Sequence, residues 1–320
     1  MSVATLRKPL IYIDQNIIGL QLQGCIKLSK RDDAIWVYSK EHFAEIKRAQ
    51  NPEKYLDVLG VLDAKLLELN LDGNFRITGQ ATLHETGCPY QHFDIYTKAT
   101  NEVSLDDSIF DPIQVWVNGG ACEDVLIDLP GRFAQEVLNL TSGLSLGDFK
   151  MFDEVPSIRD DLDSMIVQMI SNGNDIHKTR TALGDEKGSI GSITGRNQIV
   201  QIWDKISSTT HLTDISCDQF FGFEPVDKQG YEVWPMYLGI IGCNSVLDIL
   251  GFQAEKKCRK LNKIQNVRSD AGHIAMGAYC SAILSEDTRL INRAKAIYEY
   301  KNIDAIPVLC SQTNDDESLN

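Results

Sequence analysis

Short apolar runs that stop at a polar or acidic residue mark both ends of this chain, and each is followed by a stretch with helical spacing. Leu10-Ile11-Tyr12-Ile13 is continuously apolar, as expected of a strand buried on both faces, and it halts at Asp14. Residues 35–38 predict a second short strand. Ser39 then stands where a helix N-cap belongs, with Glu41 in the first turn and His42 three residues on. That helix should run to about residue 49, where Asn51-Pro52 breaks it and puts proline at the first position of the next one. Tyr55, Leu56, Leu59, Leu62, Leu66, Leu67 and Leu69 repeat with a helical period, so the second helix is read through residue 69.

Towards the other end the spacing predicts a basic helix over 256–268 and a separate helix headed by Asp270 that runs to about 281. A strand over 282–284, a helix over 288–300 and a last strand over 305–309 follow. Alternating strands and helices at both ends imply parallel β-α-β units with helices packed on both faces of one sheet. In between, 74–85 alternates like a strand, while 131–140, 158–170 and 196–206 read as helices. The expected organisation is a discontinuous α/β core, 1–70 and 256–312. It is interrupted by a mainly helical insertion, 71–255, and followed by an acidic, disordered tail, 313–320.

Composition narrows the picture. At 320 residues, with 43% apolar and 24% charged residues, the chain can bury a substantial core. A net charge of -14 argues against coating nucleic acid by bulk attraction, although a local basic path would suffice for an enzyme. The 8 cysteines include no C-x-x-C pair, which excludes zinc ribbons and thioredoxin-like motifs. The first ten residues do not resemble a signal peptide, so the cysteines read as reduced thiols in a cytoplasm. The apolar stretch 234–252 contains Pro235, Asn244 and Asp248 and is expected to be a buried helix, with no membrane span.

The candidate chemistry lies in four acids. Asp14 ends the first strand; Glu45 follows His42 by three residues on the next helix; Asp270 opens a late helix; and Asp287 stops the strand after it. Carboxylates at strand ends and helix starts can converge at one edge of a parallel sheet and hold divalent ions. Two-metal phosphodiester hydrolysis uses such a set, with ions ~3.5–4 Å apart and no side-chain nucleophile. Each acid also has an ordinary reading: a strand-end turn for Asp14 and Asp287, solvated helix surface for Glu45, and a helix cap for Asp270. His42 and His273, each three residues from an acid, could position it, contact phosphate or shuttle a proton, or could be hydrogen-bonded core histidines. The other four histidines show no ligand spacing. Lys256, Lys257, Arg259 and Lys260, with Arg289 further on, could guide a phosphate backbone, or could form a solvated basic face. The glycines of 184–195 lack the P-loop pattern and mark a flexible loop.

The text Tyr12-Ile13-Asp14-Gln15-Asn16, Tyr38-Ser39 to Glu45, Ser269-Asp270-Ala271-Gly272-His273 and Leu284-Ser285-Glu286-Asp287 resembles the PIN-like ribonucleases. The resemblance covers roughly 1–70 and 256–310, and the 17-residue step from Asp270 to Asp287 suits its late helix and strand. It implies a three-layer α/β/α core with a parallel sheet. By that resemblance Asp14, Glu45, Asp270 and Asp287 are catalytic metal ligands for Mg²⁺ or Mn²⁺. Asn16, Ser39, His42, His273 and Ser285 are supporting polar groups, and RNA (or single-stranded DNA) is the substrate. The chain departs from the family's compact form in its 71–255 insertion, which bears on substrate choice and on restraint by a regulatory protein partner. Two alternatives stand beside it. Phosphatase-like chemistry on an aspartyl nucleophile wants a second acid two residues after the first, where this chain has Asn16. A catalytically silent PIN-like scaffold would bind RNA or protein without cutting.

Overall fold

A computed structural model of the chain describes residues 8–102, 107–142, 151–185, 188–209, 212, 214–254 and 259–310. Six strands, β1 (Leu10–Ile13), β2 (Ile35–Ser39), β3 (Lys65–Leu71), β4 (Ile77–His84), β5 (Ala282–Ser285) and β6 (Ile306–Leu309), form one sheet in the order β4-β3-β2-β1-β5-β6. All neighbours run parallel except the β3–β4 hairpin. The fold is therefore α/β with a mostly parallel sheet. The acidic tail expected at 313–320 lies outside the described residues.

The first helices are α1 (Gln15–Gln23), α2 (Lys40–Arg48), α3 (Pro52–Val61) and α4 (Pro89–Glu102). After them come α5 (Asp111–Val117), α6 (Glu123–Ile127), α7 (Leu129–Ser142), α8 (Met151–Asn172), α9 (Ile176–Ala182), α10 (Gln198–Thr209) and α11 (Cys217–Phe220). Helices α12 (Met236–Leu250), α13 (Leu261–Gly277) and α14 (Thr288–Lys301) complete the chain. Ser39 caps α2 as its position suggests, within a capping box whose return partner is the His42 side chain. No described helix is long and apolar enough to cross a membrane; the stretch at 234–252 is α12, with much of its surface buried. Every cysteine among the described residues is a free thiol.

Two boundaries differ from the sequence reading. Helix α3 stops at Val61, and Leu66, Leu67 and Leu69 belong to β3. Asp63 takes a left-handed conformation, φ 51°, and ends the helix, so the leucines beyond it continue as an extended run. The basic stretch from Leu261 onwards and the supposed Asp270-headed helix are one helix, α13, with Lys260 at its N-cap position. Asp270 therefore sits in mid-helix, and its expected role as a helix opener is corrected: no proline, glycine or cap breaks the chain ahead of Ser269.

Alternate residues of the central strands feed two cores. Ile13, Trp36, Tyr38 and Leu66 meet α1, α2 and α3 on one face. Tyr12, Val37, Leu67 and Ile283 meet α10, α12, α13 and α14 on the other. The 71–255 span does not stand apart from that second core: Ile202, Ile206, Ile240, Cys243 and Leu247 are fully buried in it. A smaller cluster, including Val115, Trp116, Leu126, Leu129 and Ile166, packs α5, α6, α8 and the start of α7 against Ile264 and Val267 of α13.

Helix α2 approaches α13 closely at Gly272, where an added Cβ would lie 2.5 Å from the Glu41 carboxyl carbon. Glu41 cannot swing away freely, because Tyr237 of α12 donates to it at 2.9 Å. Alanine normally stabilises a helix relative to glycine. Here Gly272→Ala is expected to cost about 1–3 kcal/mol through overpacking, a reversed sign that urea unfolding would read directly.

Candidate active site

Strands β1 and β2 run outward to one side of the sheet, while β5 and β6 lie on the other, so the strand order reverses at the β1–β5 pair. Such a switch point leaves a crevice beyond the carboxyl ends of the strands, the usual ligand position in open α/β sheets. Asp14 is the first residue past β1, and its N–H donates to the Leu284 carbonyl of β5 at 2.9 Å. Ser285, the last residue of β5, donates to Asp14 Oδ2 at 2.6 Å and accepts the Asp287 N–H at 3.0 Å. Asn16 donates to the same Asp14 oxygen at 3.1 Å. Asp287 caps α14 by accepting the N–H groups of Arg289 and Leu290, and the Arg289 guanidinium returns to it at 3.2 Å. Ser285 thus links two of the four acids through one hydroxyl.

The other two arrive from helices. His273, fully buried on α13, holds its Nε2 at 3.6 Å from both Asp14 Oδ1 and Glu45 Oε1. That is too long for a hydrogen bond and close enough for strong attraction in a buried setting. Ser269, one turn earlier on α13, donates to Glu45. Burial works against Glu45's charge, yet His273, Ser269 and His42 outweigh it and bring the carboxyl down to about 2. Burial likewise opposes the His273 charge, but Glu45, Asp14 and Glu41 raise it to about 9. An imidazolium wedged between two carboxylates follows. Its Nδ1–H donates to Tyr12 Oη at 2.8 Å, which leaves the Tyr12 hydroxyl to donate to Ser39 Oγ at 2.7 Å.

Asp14 is buried and its carboxyl is pushed up by that burial, against the pull of His273 and Ser285. Asp270 is pushed well above the carboxylate range, first by burial and then by repulsion from Asp14, with Asp287 adding to it; Arg293 and His273 pull it back. For Asp287, burial is outweighed by the hydrogen bonds and charge of Arg289, which hold it below its ordinary value. The carboxylates are mutually coupled around one sheet edge, but they are not a ready cage. Among the described residues, no group of three or more His, Cys, Asp or Glu is arranged to hold a metal ion.

Comparison with protein-family models, curated proteins and solved structures finds no match to this chain. The reading of the site rests on its own geometry.

His42 is a structural group. Its Nδ1 accepts the Ser39 N–H at 3.1 Å, so Nε2 carries the proton and donates to the Ile13 carbonyl at 2.6 Å. Burial and the neighbouring His273 charge lower it to about 3, which keeps it neutral. It ties the end of β1 to the start of α2 and so fixes Asp14 relative to Glu45. Of the basic residues, Arg289 is at the site and occupied with Asp287. Arg259 and Lys260 are exposed at the start of α13, whereas Asp270 lies in its second half. Lys256 and Lys257 fall outside the described residues.

Four contributors escaped the sequence reading. Tyr12 looks like an ordinary strand aromatic. Glu41 appears only as a first-turn acid, and Ser269 only as the neighbour of Asp270. Arg293 carried a usable signal: its spacing from Leu290, Ala294 and Ile297 puts a cation on the apolar stripe of α14, where it is 2% exposed. Tyr12→Phe would leave His273 Nδ1 and Ser39 Oγ without their shared partner in a buried site. The expected cost is about 1–3 kcal/mol in chemical denaturation, with the fold retained.

Proposed function

We propose that this chain is a metal-dependent nuclease, an endoribonuclease of the PIN-like kind, that hydrolyses phosphodiester bonds at the carboxyl edge of its sheet. The observation that carries the reading is the gathering of Asp14, Asp287, Asp270 and Glu45 around the β1–β5 switch point. A buried helix cap or surface acid needs no such partners. The three-layer α/β/α arrangement of that family is proposed with it, since helices pack on both sheet faces.

The donor set fits Mg²⁺ or Mn²⁺ in kind, being hard carboxylate oxygens, and Asp14 and Asp270 repel one another in a way that a cation would relieve. Asp14, Asp270 and Asp287 would hold the ion, with Glu45 beside them. When bound, the ion supplies positive charge to the phosphate oxygens and a lowered pKa to the attacking water. The chain's own groups do the positioning. Ser285 and Asn16 both engage Asp14 Oδ2, leaving Oδ1 turned towards His273. His273 holds Asp14 and Glu45 on either side of one nitrogen, and Arg289 sets the Asp287 carboxylate at the head of α14. Arg289, partly exposed beside Asp287, is a cation placed to meet an entering phosphate. A regulatory protein partner that covers the edge belongs to the same proposal, because a freely active ribonuclease would harm its host.

One observation favours a second reading, a catalytically silent scaffold that binds RNA or a protein partner: the acids are not preassembled into an ion cage among the described residues. Incubation of the purified chain with labelled single-stranded RNA, and single-stranded DNA in parallel, in Mg²⁺, Mn²⁺ or chelator decides between them. Cutting that requires the ion supports the nuclease, and the substrate that is cut identifies the nucleic acid. Absence of cutting together with absence of metal binding by calorimetry favours the scaffold.

A further inference from the structure

A cavity of about 390 Å³ lies on the opposite flank of α13 from the acids, between α13, α5 and α12. Its volume is that of a small-molecule site. Ile113, Val117, Ile241 and Val267 give it apolar walls, while Gln114, Asn118 and Ser245 add polar groups. Phe110, at the end of the short 3₁₀ turn Asp107–Phe110, lines it with its ring partly exposed and packed on Phe133 at a centroid distance of 5.8 Å. Asn118 is 3% exposed; its amide nitrogen donates to the Gln114 carbonyl, and its side-chain oxygen has no partner among the described residues. The position matters as much as the lining. Arg268 and Ala271 line the cavity, and Ser269, Asp270 and His273 of the same helix face the carboxylates. The two features lie on different faces of one helix, whose width with side chains is ~10 Å.

We propose that this cavity takes one unstacked nucleobase of an RNA strand whose backbone runs on to the acidic edge. The inference rests on the nuclease reading and adds to it a base-recognition subsite. A partly exposed aromatic ring, apolar walls and side-chain amides are features by which proteins read single-stranded RNA. The cavity exists only because residues 71–255 bring α5 and α12 against α13. The span absent from compact relatives thereby acquires a role in choosing where the strand is cut.

The test is calorimetric or NMR titration of the full chain, in chelator, with each of the four ribonucleosides and with inorganic phosphate. The expected result is binding of at least one nucleoside with unequal affinity among the four, weakened about tenfold or more in Phe110→Ala. Ile241→Trp, which fills the cavity, should remove binding. Should that variant not fold, the partly exposed Phe110 decides alone. Binding of phosphate without nucleoside, or nucleoside binding unchanged in Phe110→Ala, overturns the inference. A parallel cleavage assay keeps the two readings apart. RNA cleavage whose base preference is the same in Phe110→Ala as in the wild type overturns the subsite and leaves the nuclease standing. Nucleoside binding of the expected kind with no cleavage under any ion retains the base site and removes the nuclease.

Discussion

Asp14→Asn is expected to lower ion-dependent RNA cleavage at least about a hundredfold while the protein remains folded. The substitution is nearly isosteric, and an amide oxygen can still accept from Ser285, which donates to the carboxylate at 2.6 Å. What disappears is the negative charge facing His273 Nε2 at 3.6 Å and the hard anionic oxygen that would hold the ion. Stability should change little. Burial raises the Asp14 carboxyl, so its ionised form is held in the folded state at a cost near neutral pH, and a neutral side chain removes that cost. The matched measurements are the cleavage rate in Mn²⁺ and the urea midpoint of each protein. Equal cleavage by wild type and variant would mean that the activity does not come from this site. A large drop in the urea midpoint would instead make Asp14 a structural group and return the edge to the scaffold reading.

Every strand but β3 is legible because its signals are local. Leu10 to Ile13 is too short for a helix and too apolar for a surface, Ser39 caps in the expected place, and Pro52 opens the next helix. What failed was whatever depended on one backbone angle or on distant partners. The left-handed Asp63 turned the leucines of a presumed helix into β3, and period counting cannot register such a turn. The continuous α13 moved Asp270 from a helix head to a helix middle, although its side chain still reaches the field of Asp14 and Asp287. The candidate acids could be named because each sits beside an apolar run or a cap. The groups that hold them were hidden. Tyr12, Ser269 and Arg293 matter through partners more than twenty residues away, and no spacing rule connects them. Likewise the sequence marks 71–255 as an insertion without showing that Ile240 and Leu247 share a core with Tyr12.

Arg293 is where that hidden layer should show its largest energetic effect: Arg293→Met is expected to destabilise the fold by roughly 3–5 kcal/mol. The guanidinium is almost wholly buried. It donates to Asn244 at 3.1 Å, to Asp248 Oδ2 at 3.0 Å, and to the Gln253 carbonyl from two nitrogens at 3.2 and 2.8 Å, and it pairs with Asp248 Oδ1 at 3.0 Å. Asp248, 1% exposed, would lose this cation in a buried setting. The carbonyl end of α12, already held by Arg180 at the Ile249 and Asp248 carbonyls, would lose its second cation. Most of the penalty comes from weakening the compensation of the buried Asp248 charge and only part from losing attraction, because a buried ion pair roughly offsets its own desolvation. The double variant Arg293→Met with Asp248→Leu should therefore recover most of the lost stability, a strongly non-additive cycle readable by urea denaturation. Additive losses would mean that the two residues act separately, through packing alone. Recovery would establish the pair as the clamp between α12 and α14, the helix whose first turn presents Asp287 at the acidic edge.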